Sequence, residues 1–324
     1  MFAALLFFVL VAIAGFWAFA LAAILSFGPA YFYLKSIRDA EKIDKEPWGA
    51  LRLAFIWGAV SGVFYAMILN GLGGSLVYVF TGNSEEITFV VSAVVIAPIV
   101  EEFVKPIVMF RNSSVRKEID EIEDGIVYGA ACGLGFGATE NILYGLSEGA
   151  VKSGFLGIIF VLVLRTLSSI LLHLTATSFT GYGISKYLVG DESFVVVIKY
   201  YILAVLIHAA WNAAAVTGSP FILLFSIVLA IGGLEFSKRR IRELDLVGSN
   251  VASTDIRAEA EGGDWWNNSR NKWDNHSKAG EVSKPIYTSS TSTNSAEEWA
   301  SNIDLKQTAG AILFLLLVAS SYLD

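Results

Sequence analysis

The fold class legible in this sequence is all-α and polytopic: a membrane protein of about eight transmembrane helices. Three observations predict it. Apolar residues (AVILMFWYC) fill 55% of the 324 positions and charged ones only 16%, where a soluble domain averages about 45–50% and about 25%. Mean hydropathy is +0.59, more apolar surface than a water-soluble chain could bury. The apolar residues are also gathered into eight stretches of bilayer-spanning length, which is roughly 17–25 residues for a helix. The single cysteine, Cys132, excludes an internal disulfide framework. A formal charge of −7 excludes the basic face of a nucleic-acid binder.

In chain order the stretches are residues 2–34, 51–80, 87–110, 125–146, 155–188, 194–217, 220–236 and 309–322. The first has no basic region ahead of it and is far longer than a signal-peptide core, so it reads as a retained anchor. The first and fifth are too long for one upright span. They either tilt and project into water, or the fifth breaks near Gly181-Tyr182-Gly183. Loop charges set the orientation in the cell membrane. Lys35, Arg38, Lys42, Lys45 and Arg52 crowd the first loop, Arg111, Arg116 and Lys117 the third, Lys186 the fifth, and Lys238, Arg239, Arg240 and Arg242 the seventh. The intervening loops are nearly bare, which places both termini outside and the basic loops in the cytoplasm.

Residues 1–240 form the core of about seven spans, and 307–324 carry the last helix. Between them, 241–306 is a polar cytoplasmic segment. From 249 to 302 there is no Leu, Phe or Met, too little apolar surface to offset the entropy of ordering, so disorder is expected. Trp265, Trp266, Trp273 and Trp299 stand out in it as membrane-surface or docking residues. His276 lies there as well and carries no assignment.

Ionisable residues inside spans carry the functional signal, because a charge near the bilayer centre costs about 2.5–3.5 kcal/mol on translocon scales. They lie only on the middle four spans: Glu101, Glu102 and Lys105; Glu140; Arg165 and His173; Lys199 and His208. Lys199, near a helix end, can snorkel. The others must face one another or water. Glu101 and Lys105 stand at i,i+4 and can pair, while Glu102 points about 100° away. Phe136 shares a face with Glu140, and Gly129, Gly133, Gly135 and Gly137 allow a second backbone to approach. Arg165, Ser169, His173 and Thr177 form a polar stripe, and His208 stacks over Asn212.

Two imidazoles with two or three carboxylates can activate water by general-base catalysis. They can equally hold a divalent metal such as Zn2+ in a His2Glu set, here Glu101, His173 and His208, with a position open for water. An amide one turn from a histidine, Asn212, suits an oxyanion. No His-Glu-x-x-His or Gly-x-Ser-x-Gly is present.

Four motifs, in order on four successive spans, resemble the PrsW family of intramembrane proteases, distant relatives of the type II CAAX prenyl proteases and bacteriocin-processing enzymes. They are Glu101-Glu102-x-x-Lys105, Phe136-x-x-x-Glu140-Asn141, Arg165 with His173, and His208-x-x-x-Asn212. The first loop, with Asp39 ahead of Glu46-Pro47-Trp48, is similar too, and the likeness covers about residues 28–240. It implies helices enclosing a hydrophilic chamber and proteolysis of membrane-associated substrates. It further implies that Glu101 activates the water, Glu102 and His173 assist, and His208 and Asn212 bind the oxyanion, or the imidazole binds metal. Lys105 orients the glutamates, with Arg165 in support, and Glu140 stands where the CAAX relatives carry a histidine. The competing readings are a proton- or cation-coupled transporter and a membrane adaptor that binds a partner helix.

Overall fold

In the computed structural model, which describes residues 2–261, the secondary structure is helical, with no strand among the described residues. Helix α1 spans Phe2–Arg38. Helix α2 (Trp48–Ile56) passes through a π-helical stretch, Trp57–Gly62, into α3 (Val63–Phe80). Helix α4 (Glu85–Val91) opens on Ser84, whose hydroxyl accepts from the Ile87 N–H at 3.3 Å. A second π-helical stretch, Ser92–Ile96, joins α4 to α5 (Ala97–Val104). Pro106 stops α5, since it has no N–H to donate and its ring collides with the carbonyl one turn back. Two short helices follow, α6 (Ile107–Arg111) and α7 (Ser113–Arg116), then α8 (Asp124–Tyr144). A π-helical turn, Gly145–Gly149, leads to α9 (Ala150–Leu167), α10 (Ser169–Leu188), α11 (Val195–Val216) and α12 (Pro220–Glu261).

Among the described residues, five stretches are long and apolar enough to cross a bilayer: Ala14–Arg38, Trp48–Phe80, Glu85–Arg111, Gly154–Leu188 and Val195–Val216. Their perimeter is apolar in the way lipid requires, with Phe80 86%, Leu156 76% and Phe160 67% exposed. The protein is therefore a multi-pass membrane protein. The expected eight spans become five on this measure. The fourth is α8, where glycines stand in place of large apolar residues, and the seventh is the first part of α12. The eighth, at 309–322, lies outside the described residues.

Two further expectations change. The long fifth segment does break, but at Ser168, where the backbone turns to φ −126° and ψ −71° between α9 and α10. Helix α10 runs unbroken through Gly181-Tyr182-Gly183. There the missing side chain serves contact, because a Cβ on Gly181 would overlap the carbonyl of Gly125 in α8. Helix α12 also continues past residue 240 to Glu261, so the start of the segment expected to lack order is helical; the four tail tryptophans lie outside the described residues.

Helix α8 is the axis of the molecule. It is buried from Asp124 to Ala138, packed between α10 on one side and α1, α2 and the first π-helical stretch on the others. Gly125, Gly129, Gly133 and Gly137 form one stripe at four-residue spacing against α10, while Gly135 meets the Phe55 carbonyl of α2. The first, third and seventh loops meet at one end of the bundle. The Lys42 N–H donates to Asp245 at 2.7 Å, and the Ser185 hydroxyl to the Ile122 carbonyl at 2.5 Å.

Candidate active site

The site is assembled from α5, α8, α9, α10 and α11, with α10 packed on α8 and α11 and α5 packed on each other. Helix α5 is fixed at two carbonyls: the Trp57 indole N–H donates to Val104 at 3.1 Å and the Tyr201 hydroxyl to Ile99 at 2.7 Å. Helix α10 is held close to α8 because Gly133 and Gly137 leave room for it. A Cβ on Gly137 would stand 2.8 Å from the His173 ring. This close approach carries His173 into contact with residues from α5 and α8.

Glu101, Glu102, Lys105, His173 and His208 converge, each 5% exposed or less. Lys105 Nζ donates to Glu102 Oε1 at 2.7 Å and meets His173 Nδ1 at 2.8 Å, while Glu101 Oε2 lies 3.5 Å away. The pairing expected between Glu101 and Lys105 is thus present, yet the closer partner is Glu102, three residues back on the same turn. Glu102 is fully engaged. It also meets His208 Nδ1 at 2.9 Å and accepts from the Thr177 hydroxyl at 2.9 Å. His173 Nε2 meets Glu140 Oε2 at 2.9 Å, and Arg165 donates to the same oxygen at 2.6 Å and to the Ser169 hydroxyl at 3.1 Å. The imidazoles pack edge to face, 4.9 Å between centroids. Lys105 Nζ also lies 4.3 Å from the centre of the Phe136 ring, and the Arg165 guanidinium 3.9 Å from that of Tyr144.

Glu101 is placed differently from its neighbour. Its Oε1 accepts from the Asn70 amide at 3.3 Å, while its buried Oε2 has no hydrogen-bond partner. The nearest imidazole atom is His208 Nε2 at 3.8 Å. Ligand atoms of Glu101, His173 and His208 all fall within 4.8 Å of one another, so these three residues could hold a metal ion. The donor chemistry fits one. His208, with Nδ1 on Glu102 and Nε2 open, has the usual arrangement behind a metal ligand. On His173, whose Nε2 faces Glu140, Lys105 would have to leave Nδ1 for a metal to bind there. Formal charge points the same way: three carboxylates stand against Lys105 and Arg165, leaving one negative charge for a cation or a proton to balance.

The model of the PrsW family intramembrane metalloproteases matches residues 46–232, more than half of the chain and all four motifs. The chain belongs to the PrsW family of intramembrane metalloproteases. Three curated relatives agree. Protease PrsW of Geobacillus kaustophilus (strain HTA426) is 34% identical over 120 residues, 37% of this chain and 48% of the relative. Protease PrsW of Clostridioides difficile (strain 630) is 32% identical over 151 residues, 47% and 59%. Protease PrsW of Bacillus subtilis (strain 168) is 33% identical over 125 residues, 37% and 49%. The chain thus spans about half the length of the curated relatives it matches. No solved structure matches it. Membership in a protease family does not favour the transporter or adaptor readings.

Not every expected site residue joins the cluster. The Asn212 amide donates to the Ala93 carbonyl in the second π-helical stretch at 2.7 Å. Asn141 ties α8 to α1 and α9 through Ser26 at 3.1 Å and Thr166 at 3.1 Å. Asn70 was not foreseen, because an amide is uncharged and the second span holds no charged residue away from its end at Arg52. Its signal was being an amide within an otherwise apolar run.

Proposed function

We propose that the protein is an intramembrane endopeptidase that hydrolyses peptide bonds of membrane-associated proteins, with Glu101 as the residue that activates water. One observation carries this: a fully buried carboxylate oxygen, Glu101 Oε2, with no hydrogen-bond partner, facing the open nitrogen of His208. Both oxygens of Glu102 and Oε2 of Glu140 are spent on positioning. Glu101 Oε2 takes the proton of the attacking water and returns it to the leaving amine, as a general base and then acid. Glu102 fixes the His208 ring through Nδ1. Glu140, held by Arg165, fixes His173 through Nε2. Lys105 places its positive charge beside both glutamates, where it offsets negative charge gathering on the scissile carbonyl.

Zn2+ is the ion we assign to Glu101, His173 and His208, since two imidazoles and a carboxylate suit it. Glu101 would hold it through the oxygen that Asn70 holds here, which leaves Oε2 for the proton. Bound there, it would acidify its water and polarise the carbonyl. Asn212, bonded to Ala93, acts as a positioning residue for the helix segment ahead of α5. Orientation in the bilayer follows the basic loops, with the end carrying the first, third and seventh loops in the cytoplasm. Their meeting at one end of the bundle supports that.

The test is Glu101→Gln in proteoliposomes with a membrane-anchored substrate, alongside zinc content by elemental analysis. The variant is expected to fold, to lose cleavage by on the order of 10³-fold, and to hold less zinc. Cleavage at the unaltered rate would remove Glu101 from the chemistry.

A further inference from the structure

A second group of buried carboxylates lies where the first, third and seventh loops meet. Glu41 and Glu46 belong to the connection between α1 and α2, Asp124 opens α8, and oxygens of these three lie within 4.8 Å of one another. Glu121, Glu123 and Asp245 of α12 form a neighbouring trio on the same criterion. Five of the six are nearly sealed from water: Glu41 is 0%, Asp124 2%, Glu123 3%, Asp245 3% and Glu46 5% exposed.

Among the described residues no lysine or arginine side chain forms an ion pair with any of the six. The nearby cations are committed elsewhere, Lys45 to Asp39 at 3.1 Å and Arg38 to the Glu46 carbonyl at 2.5 Å. What the carboxylates do receive is neutral. Glu41 Oε2 accepts from the Glu46 N–H at 3.0 Å, and Glu46 Oε2 accepts from the Tyr128 hydroxyl. Asp124 Oδ2 accepts from the N–H groups of Asp120 at 2.9 Å and Glu121 at 2.6 Å. Anchored in this way, Glu41 keeps Oε1 buried with no partner, and so does Glu123. A buried acceptor left unmade costs about 1–3 kcal/mol, more when charged, so two in one basin point to a ligand that supplies positive charge.

We infer that this basin binds a hard divalent cation, Mg2+ or Ca2+, through Glu41, Glu46 and Asp124, with Glu121, Glu123 and Asp245 forming a second coordinating group beside it. The donors are oxygens only, with no histidine or cysteine, which selects Mg2+ or Ca2+ over zinc. A polar pocket of about 300 Å3, lined by six acids from Asp44 to Asp124 and by Lys45, which pairs with Asp39, gives an ion a way in. Buried together with no ion-paired cation, these carboxylates repel one another. A bound cation would relieve this. It would also tie the α1–α2 connection and α12 to the start of α8, the helix on which the active site is built. The inference does not depend on the protease reading.

The competing compensation is a shared proton, since the Glu46 and Asp124 carboxyls are within hydrogen-bonding reach of each other. Full-length protein in detergent, stripped with chelator, distinguishes the two. Tb3+ is the probe, excited through the neighbouring Tyr128, with Mg2+ and Ca2+ as separate competitors and the thermal midpoint as a second readout. Wild type is expected to show saturable Tb3+ emission displaced by one of the two cations, and a midpoint raised by that cation. Glu41→Gln and Asp124→Asn should each weaken Tb3+ binding by roughly tenfold or more, the size of effect typical of perturbing a metal ligand's surroundings. Lys238→Gln, at a surface ion pair on α12 outside both clusters, should bind it as wild type does. Absence of saturable emission and of a midpoint shift in wild type would overturn the inference. So would a cation response that survives in both basin variants. If one basin variant does not fold, Glu123→Gln and the wild-type titrations still decide the matter.

Discussion

Two groups of buried charge can be compared within this one chain. Around Glu101 each carboxylate lies beside a basic group: Lys105 and His208 for Glu101 and Glu102, Arg165 and His173 for Glu140. Around Glu41 the carboxylates meet backbone N–H groups, a tyrosine hydroxyl and one another. The first group sits among membrane-spanning helices, where most of the charge must be balanced by the chain itself because each uncompensated charge is costly there. The second sits among loops, where a pocket can admit ions. Position relative to the membrane explains why the one group carries its own cations and the other does not.

Removing a cation should therefore have opposite consequences from removing an anion in the other group. Lys105→Met strands two glutamates and is expected to destabilise the protein by about 3–5 kcal/mol, read by thermal or denaturant unfolding in detergent. Glu41→Gln, measured without divalent ions, removes one of several like charges and should leave stability unchanged or higher. If both variants lose stability alike, the two groups do not differ as described.

Glu140→Gln is the next largest. It keeps the shape of the side chain but gives up the charge that Arg165 and His173 share. Zinc affinity and cleavage should fall together by roughly 10–100-fold, as for outer-sphere carboxylates elsewhere. An intact rate would make Glu140 a helix-contact residue only. Asn70→Ala releases one oxygen of Glu101 and should cost about 1 kcal/mol, seen as a several-fold lower cleavage rate with an unaltered unfolding midpoint. The smallest effect belongs to Asn212→Ala. Bonded to Ala93, it should change the rate by less than about threefold. A loss of about 10²–10³, the scale of a missing oxyanion donor, would return it to the reaction.

Much of the active site was legible because helical spacing turns sequence distance into a shared face. Ionisable residues on four successive spans had to meet, and Glu101, Glu102, Lys105, Glu140, Arg165, His173 and His208 do. Other features were hidden for identifiable reasons. Lys105 can reach residues three or four positions back equally well, and only the packed environment chooses Glu102. The fifth segment was expected to break at its glycines, yet those glycines accommodate α8, and the break falls at Ser168. The distance in sequence between Asn212 and Ala93 concealed their contact. Glu41, Glu46 and Asp124 lie near lysines and arginines in sequence, so nothing marked them as buried together.

Composition and periodicity alone determined that this is a helical membrane protein and on which helices its polar chemistry lies, because a bilayer taxes every charge it encloses and a helix repeats every 3.6 residues. Partner choice was decided by the tertiary structure: which glutamate holds Lys105, which carboxylate oxygen is left open, and which loop acids share a pocket. Those choices turn on distances of a few ångströms between segments far apart in the chain. For His173 and Glu140 they follow from how closely the glycines of α8 let α10 approach.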